Sequence, residues 1–261
     1  MQLMFADEAD VEQGRNQLFY VAGAIFVDTD RARALSDAIF QIRQARGFRA
    51  GDSLKFAVRN RPEHVAVNDH RDAKQDVMAA AAEHGVTFCA YVMLHELAQE
   101  QGQERLVQWG ANTLLGKFNE FCGQAGVGPG IAMFDRMPIP NEFAFYREKF
   151  SRGLTFPNAA DRRLENVISY ASTCDGASNL SSVMDIVLGA FRYCVNEPDR
   201  DVAGRQLLPQ VTRLMWRGEG NNPLRERGLV MRPQNIRVEE HRQRYEALRV
   251  RLNALLVPVD G

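Results

Sequence analysis

Two rhythms of hydrophobic and polar positions run through the chain. Gln2 to Ala6 and Leu18 to Val27 are rich in β-branched and aromatic residues, and the polar, glycine-containing stretch between them predicts an antiparallel hairpin. From Ala34 the period changes: Leu35, Ala38, Ile39 and Ile42 recur at helical spacing, with Asp28, Thr29 and Asp30 as cap candidates and Gly47 as the stop. GDSLKFAVRN reads as a short third strand. A helix over 69–84 ended by Gly85, a continuous apolar strand over 86–94, a helix over 103–124 and the compact strand Ile131 to Phe134, closed by Asp135, complete the order β-β-α-β-α-β-α-β.

Further on, 141–150 is helical by pattern, 164–171 fits a strand or a helix, and 179–194 is an apolar helix. Two more helices, near 206–216 and 238–256, flank the loop GEGNNPLRERG. Antiparallel strands followed by helix–strand alternation predict an α/β fold, a mixed sheet flanked by helices on both faces. We place this domain over residues 1–200 and a helical, Arg-rich C-terminal extension, packed on or beside it, over 201–261. On the last helix the stripe Ile236, Tyr245, Leu248, Leu252 and Leu255 has two readings, a homo-oligomer contact or docking on the chain's own core.

Composition narrows this only slightly. With 45% hydrophobic and 25% charged residues in 261, the chain reads as globular. Its longest apolar run, Leu18 to Val27, is about half the roughly 20 residues of a membrane helix, and nothing resembles a signal peptide, so a cytoplasmic protein is expected. Cys89, Cys122, Cys174 and Cys194 form no CxxC pair and fit reduced thiols. Charge is uneven: residues 211–251 hold ten Arg and five Glu, leaving −6 for the rest. Arg225, Arg227 and Arg232 in this stretch are candidate nucleic-acid contacts, with a solvated surface as the plain alternative.

Several motifs are excluded. DEAD at Asp7 to Asp10 lacks the phosphate-cradling GxxxxGK[ST] loop that its chemistry requires. Gly126 to Gly130 precedes a strand and is a turn. The five histidines form no HExxH, and no GxSxG elbow is present.

Carboxylates in costly places remain. Asp7 ends the first predicted strand, Asp135 ends IAMFD, and Asp185 interrupts the apolar SSVMDIVLGAF. A carboxylate on an apolar helix face must find a cation, a metal or hydrogen bonds, or else take up a proton. Three acids from neighbouring elements point to Mg²⁺ or Mn²⁺, which take carboxylate, water and phosphate oxygens. The plain alternatives are a turn role for Asp7, a surface pair of Asp135 with Arg136, and a buried partner for Asp185 such as Arg192 or Arg213. Lys55, in a chain with four Lys among 32 basic residues, is a candidate phosphate contact or an ordinary edge-strand lysine.

In order and spacing these segments resemble the DUF3800 family, whose members typically read DESG, ELK and QLADLVAGA where this chain has DEAD, SLKF and SSVMDIVLGA. The resemblance spans about residues 2–196. It implies a ribonuclease H-like or integrase-like fold in which strand-end acids bind two metals and cut nucleic acid. By position it assigns Asp7 and Glu8 to the first acidic pair, Lys55 to the second motif, Asp135 to the strand acid and Asp185 to the helix acid. Metal ligation then falls to Asp7, Glu8, Asp135 and Asp185, and catalysis to Asp7, Lys55, Asp135 and Asp185. The chain departs from the pattern at Ser53, where an acid is expected and Asp52 stands one position off, and at Ser182, where glutamine is expected. A metal-dependent nuclease or phosphodiester hydrolase is one expectation; a binding module of reduced activity, in a bacterial defence or mobile-element system, is the other.

Overall fold

The computed structural model describes residues 1–11, 17–98, 102–155, 161–173, 178–217, 224 and 227–257. In chain order the elements are β1 (Gln2–Ala9), β2 (Phe19–Asp28), α1 (Thr29–Ala45), α2 (Val67–Glu83), β3 (Thr87–Leu94), α3 (Gln103–Cys122), β4 (Gly130–Asp135), α4 (Glu142–Arg152), β5 (Val167–Thr173), α5 (Asn179–Asn196), α6 (Asp201–Leu214), β6 (Leu229–Arg232) and α7 (Glu239–Leu256). The strands form one sheet in the order β5-β4-β1-β2-β3-β6. Only the pairings of β2 with β1 and with β3 are antiparallel, so the other five strands all run the same way.

The central strand explains the layering. FYVAGAIFVD in β2 is buried from Phe19 to Val27 because helices cover both faces of the sheet. Val21 and Ile25 face a core shared with α1, α2, α5, α6 and α7, while Tyr20, Ala22 and Phe26 face one built on α3 and α4. Local chemistry sets the helix starts. Asp28 caps α1 by accepting from the Asp30 amide, and Ser178 and Ser181 cap α5 reciprocally.

Three sequence expectations change. GDSLKFAVRN is no strand; it is irregular with a 3₁₀ turn at 58–60. Its backbone is met by side chains instead of a neighbouring strand. Lys74 Nζ donates to the Phe56 carbonyl at 3.1 Å, and His70 Nε2 lies 2.9 Å from the Lys55 carbonyl. The C-terminal part is not helical throughout, since LVMR forms β6 beside β3. Finally, Tyr245, Leu248, Leu252 and Leu255 are buried in the same core as Ile25 and Val187, with Ile236 packed on its edge. The stripe on α7 therefore covers its own core and offers no face for a homo-oligomer. Among the described residues no helix is long and apolar enough to cross a membrane.

Candidate active site

Strand alternation sorts the acids of the opening run. Phe5 packs under α5, with Leu3 and Ala9 beside it, whereas Met4 and Ala6 pack with Tyr20 on the α3 side, so Asp7 belongs to the first face and Glu8 to the second. In β4 Met133 packs on the first core and Ala132 and Phe134 on the second, which puts Asp135 on Asp7's face. The parallel register Ala6↔Phe134 makes Asp135 the next neighbour of Asp7. Asp7 does not end its strand: β1 continues to Ala9 because β2 stays paired alongside it as far as Val21.

Helix α5 lies over this face and carries Asp185. Gly23, the register partner of Asp7, lets the helix come down: a Cβ there would sit 3.0 Å from Leu188 Cδ1 and 2.8 Å from Phe88 Cε2. Gly189 does the same for the irregular segment, since a Cβ there would overlap the Phe56 Cβ. That approach seats the Phe56 amide on Asp185 Oδ2 at 2.6 Å, a short charge-assisted bond. Lys55 precedes it in the chain and is thereby carried to the same place.

The partners differ from those expected. Arg192 pairs with Asp10 at 2.6 Å, and Asp185 accepts from the Phe56 amide. Asp10 is only 8% exposed at its side chain and also accepts from Asn196 Nδ2 at 2.8 Å. Asp7 Oδ1 accepts from the Glu8 amide and Asp135 Oδ1 from the Arg136 amide, each at 2.8 Å.

Glu8 sits on the opposite face with Tyr20, above a small pocket lined also by Ala22 and Ala111. Burial, and then the charges of Asp7, Asp135 and Glu142, push its carboxyl up to about 8. Glu8 therefore carries a proton at neutral pH. Glu142, which accepts from the Ser172 hydroxyl at 3.0 Å, had no sequence signal, because an acid in the first turn of a helix is ordinary. Lys74 was also missed. Burial lowers its pKa while the carboxylate of Asp185 opposes that shift, and its Nζ lies 4.4 Å from the Phe56 ring centroid. Its rarity as a lysine and its spacing of four from the buried His70 were the available signals.

The four acids assigned to metal are not gathered into one group. Among the described residues no three His, Cys, Asp or Glu side chains are placed to hold an ion. Glu8 points to the other face, and Asp185 is engaged by the segment at Phe56. Asp7 and Asp135 remain as adjacent carboxylates on one face, a donor set that fits Mg²⁺, which is often held by one or two carboxylates with water and phosphate completing its shell.

The arginines do not form one grip. Arg225 lies outside the described residues. The Arg227 guanidinium is 5.5 Å from the Trp216 ring centroid, just before β6 begins. Arg232 ends β6, and because β6 and β1 run the same way it lies toward the sheet end that β1 approaches beyond Asp7.

No family model matches the chain, and no curated protein matches it. Among solved structures it is similar to ribonuclease HII in its complex with PCNA from Archaeoglobus fulgidus, with 14% identity, a TM-score of 0.45, and 78% of this chain and 79% of that one covered. It is also similar to Bst ribonuclease HIII in complex with Mn²⁺, with 12% identity, a TM-score of 0.46, and coverage of 82% and 62%. At these identities and scores the likeness says nothing of individual residues. The fold class agrees with the sequence reading in its coarse form, an α/β fold with a mixed sheet flanked by helices.

Proposed function

We propose that the chain is a divalent-metal-dependent phosphodiester hydrolase acting on nucleic acid, a divergent relative of the DUF3800 proteins with its site at Asp7 and Asp135. The observation that carries this reading is the pairing of those two carboxylates on adjacent parallel strands beneath α5, beside a Glu8 that their charge helps to keep protonated. Two carboxylates on neighbouring strands are a donor set that Mg²⁺ or Mn²⁺ takes, with water and phosphate oxygens completing the shell. When bound, the ion would supply Lewis-acid stabilisation at a phosphoryl oxygen. Asp7 and Asp135 would hold it. Asp185 would act through the Phe56 amide, fixing the segment that carries Lys55, and Lys55 would offer its ammonium to a phosphate. Arg232 reaches the same end of the sheet but follows Val230 to the α3 face, so it would stand apart from this site.

The test is cleavage of single-stranded, duplex and hybrid oligonucleotides with Mg²⁺ or Mn²⁺. Cleavage should fall to background in Asp7→Asn and in Asp135→Asn, and both variants should lose metal-induced thermal stabilisation. A wild-type chain that cuts none of these substrates, and whose melting temperature does not respond to either metal, would rule the hydrolase out. The dispersal of the four expected ligands favours a second reading, a nucleic-acid binding module of the same fold. It predicts oligonucleotide binding that falls with salt but ignores metal.

A further inference from the structure

A second cavity lies between α3 and α4, on the sheet face away from Asp7 and Asp135. It measures about 530 Å³, within the roughly 300–1,000 Å³ of small-molecule sites, and its wall includes Arg105, Trp109, Asn112, Phe145 and Lys149. Two polar residues in that wall are nine-tenths or more buried, Asn112 at 9% and Lys149 at 6% exposure.

Neither is well satisfied by the protein. Among the described residues Asn112 Oδ1 has no hydrogen-bond partner, whereas buried carbonyl oxygens nearly always have one. A half-turn of the carboxamide exchanges its oxygen and nitrogen ends, so the side chain can present either an acceptor or a donor. Lys149 Nζ reaches Glu148 Oε1 at 3.4 Å, a long contact to a carboxylate that is 48% exposed, and it lies 5.1 Å from the Phe145 ring centroid. An unmet amide, a sheltered ammonium and an indole meet at one concavity.

We propose that this cavity binds a nucleotide unit, with its base stacked on Trp109 and read at its edge by Asn112, and its phosphate met by Lys149 and Arg105. An amide makes paired donor and acceptor contacts to a base edge, and aromatic stacking on a base contributes about 1–3 kcal/mol. Glu104 and Glu148 also line the cavity and balance the two cations. Affinity therefore comes from the base and from shape rather than from net charge, and phosphate alone is a poor ligand. The nucleotide is either free or one residue of a single strand, and only the strand form rests on the nucleic-acid reading above.

Calorimetric titration of the full chain in EDTA tests this, using AMP, CMP, GMP, UMP, ribose 5-phosphate, inorganic phosphate and a ten-residue single strand. At least one nucleotide should bind saturably, and more than about tenfold tighter than ribose 5-phosphate. Asn112→Leu, which removes the amide at similar volume, and Arg105→Ala, at an exposed position, should each weaken it about tenfold while melting like wild type. Tighter binding of the strand identifies a strand site; tighter binding of the mononucleotide identifies a free-nucleotide site. The proposal is overturned if no nucleotide binds at millimolar concentration, if ribose 5-phosphate binds equally well, or if both variants bind as wild type does. Because no cleavage is measured, nucleotide binding in a chain that never cuts would sink only the hydrolase, and cleavage without it would sink only this site.

Discussion

Burial and the neighbouring carboxylates make Glu8 costly to ionise. Its carboxyl titrates at about 8 in the folded chain against an ordinary 4.5, so between those pH values the folded state binds more protons than the unfolded one. Stability should therefore fall as pH rises from about 4.5 to about 8, and level off beyond. In EDTA, Glu8→Gln should remove that slope and be more stable than wild type at pH 9 by a few kcal/mol at most, given that Glu8 is only partly buried. Equal unfolding free energies from urea denaturation at pH 5, 7 and 9 would contradict this. Asp185 works in the opposite sense, as an acceptor. Asp185→Ala should cost about 1–3 kcal/mol by stranding the Phe56 amide, and Asp185→Asn less, because its oxygen still accepts.

At the scale of elements, α5 organises the site through what it lacks. Gly189→Ala places a methyl against Phe56 and should destabilise by about 1–3 kcal/mol, measured by denaturation. The same change should lower any cleavage by displacing the segment that carries Lys55. Long periodic elements were legible in the sequence: β2, β3, α1, α3 and α5 lie within a few residues of where hydrophobic spacing put them. SLKF was misread because Leu54 and Phe56 alternate with polar residues as in a strand, and its true partners, Lys74, His70 and Asp185, lie further along the chain. Distance also hid the role of Asp10, whose partners Arg192 and Asn196 follow it by more than 180 residues. Alternation along β1 separates Asp7 from Glu8, whereas the family resemblance, which is blind to faces, groups them as ligands.

For the molecule as a whole, the C-terminal part is bound in by Tyr245. Its hydroxyl donates to the Arg232 carbonyl at 2.5 Å and accepts from the Leu94 amide at 2.7 Å, joining α7, β6 and β3 at one atom. Tyr245→Phe should cost about 1–3 kcal/mol in denaturation, since both backbone groups lose their partner. An unchanged midpoint would show that the contact is dispensable. The strand order has a further consequence during synthesis. By residue 173 the chain has emitted five of its six strands, and the sheet order lets these five pair completely while β3 forms an open edge. That edge stays uncovered until β6 leaves the ribosome. An exposed edge and an unfinished apolar face invite pairing between neighbouring nascent chains, so the interval between synthesis of β5 and of β6 is when this sheet is most open to misassembly.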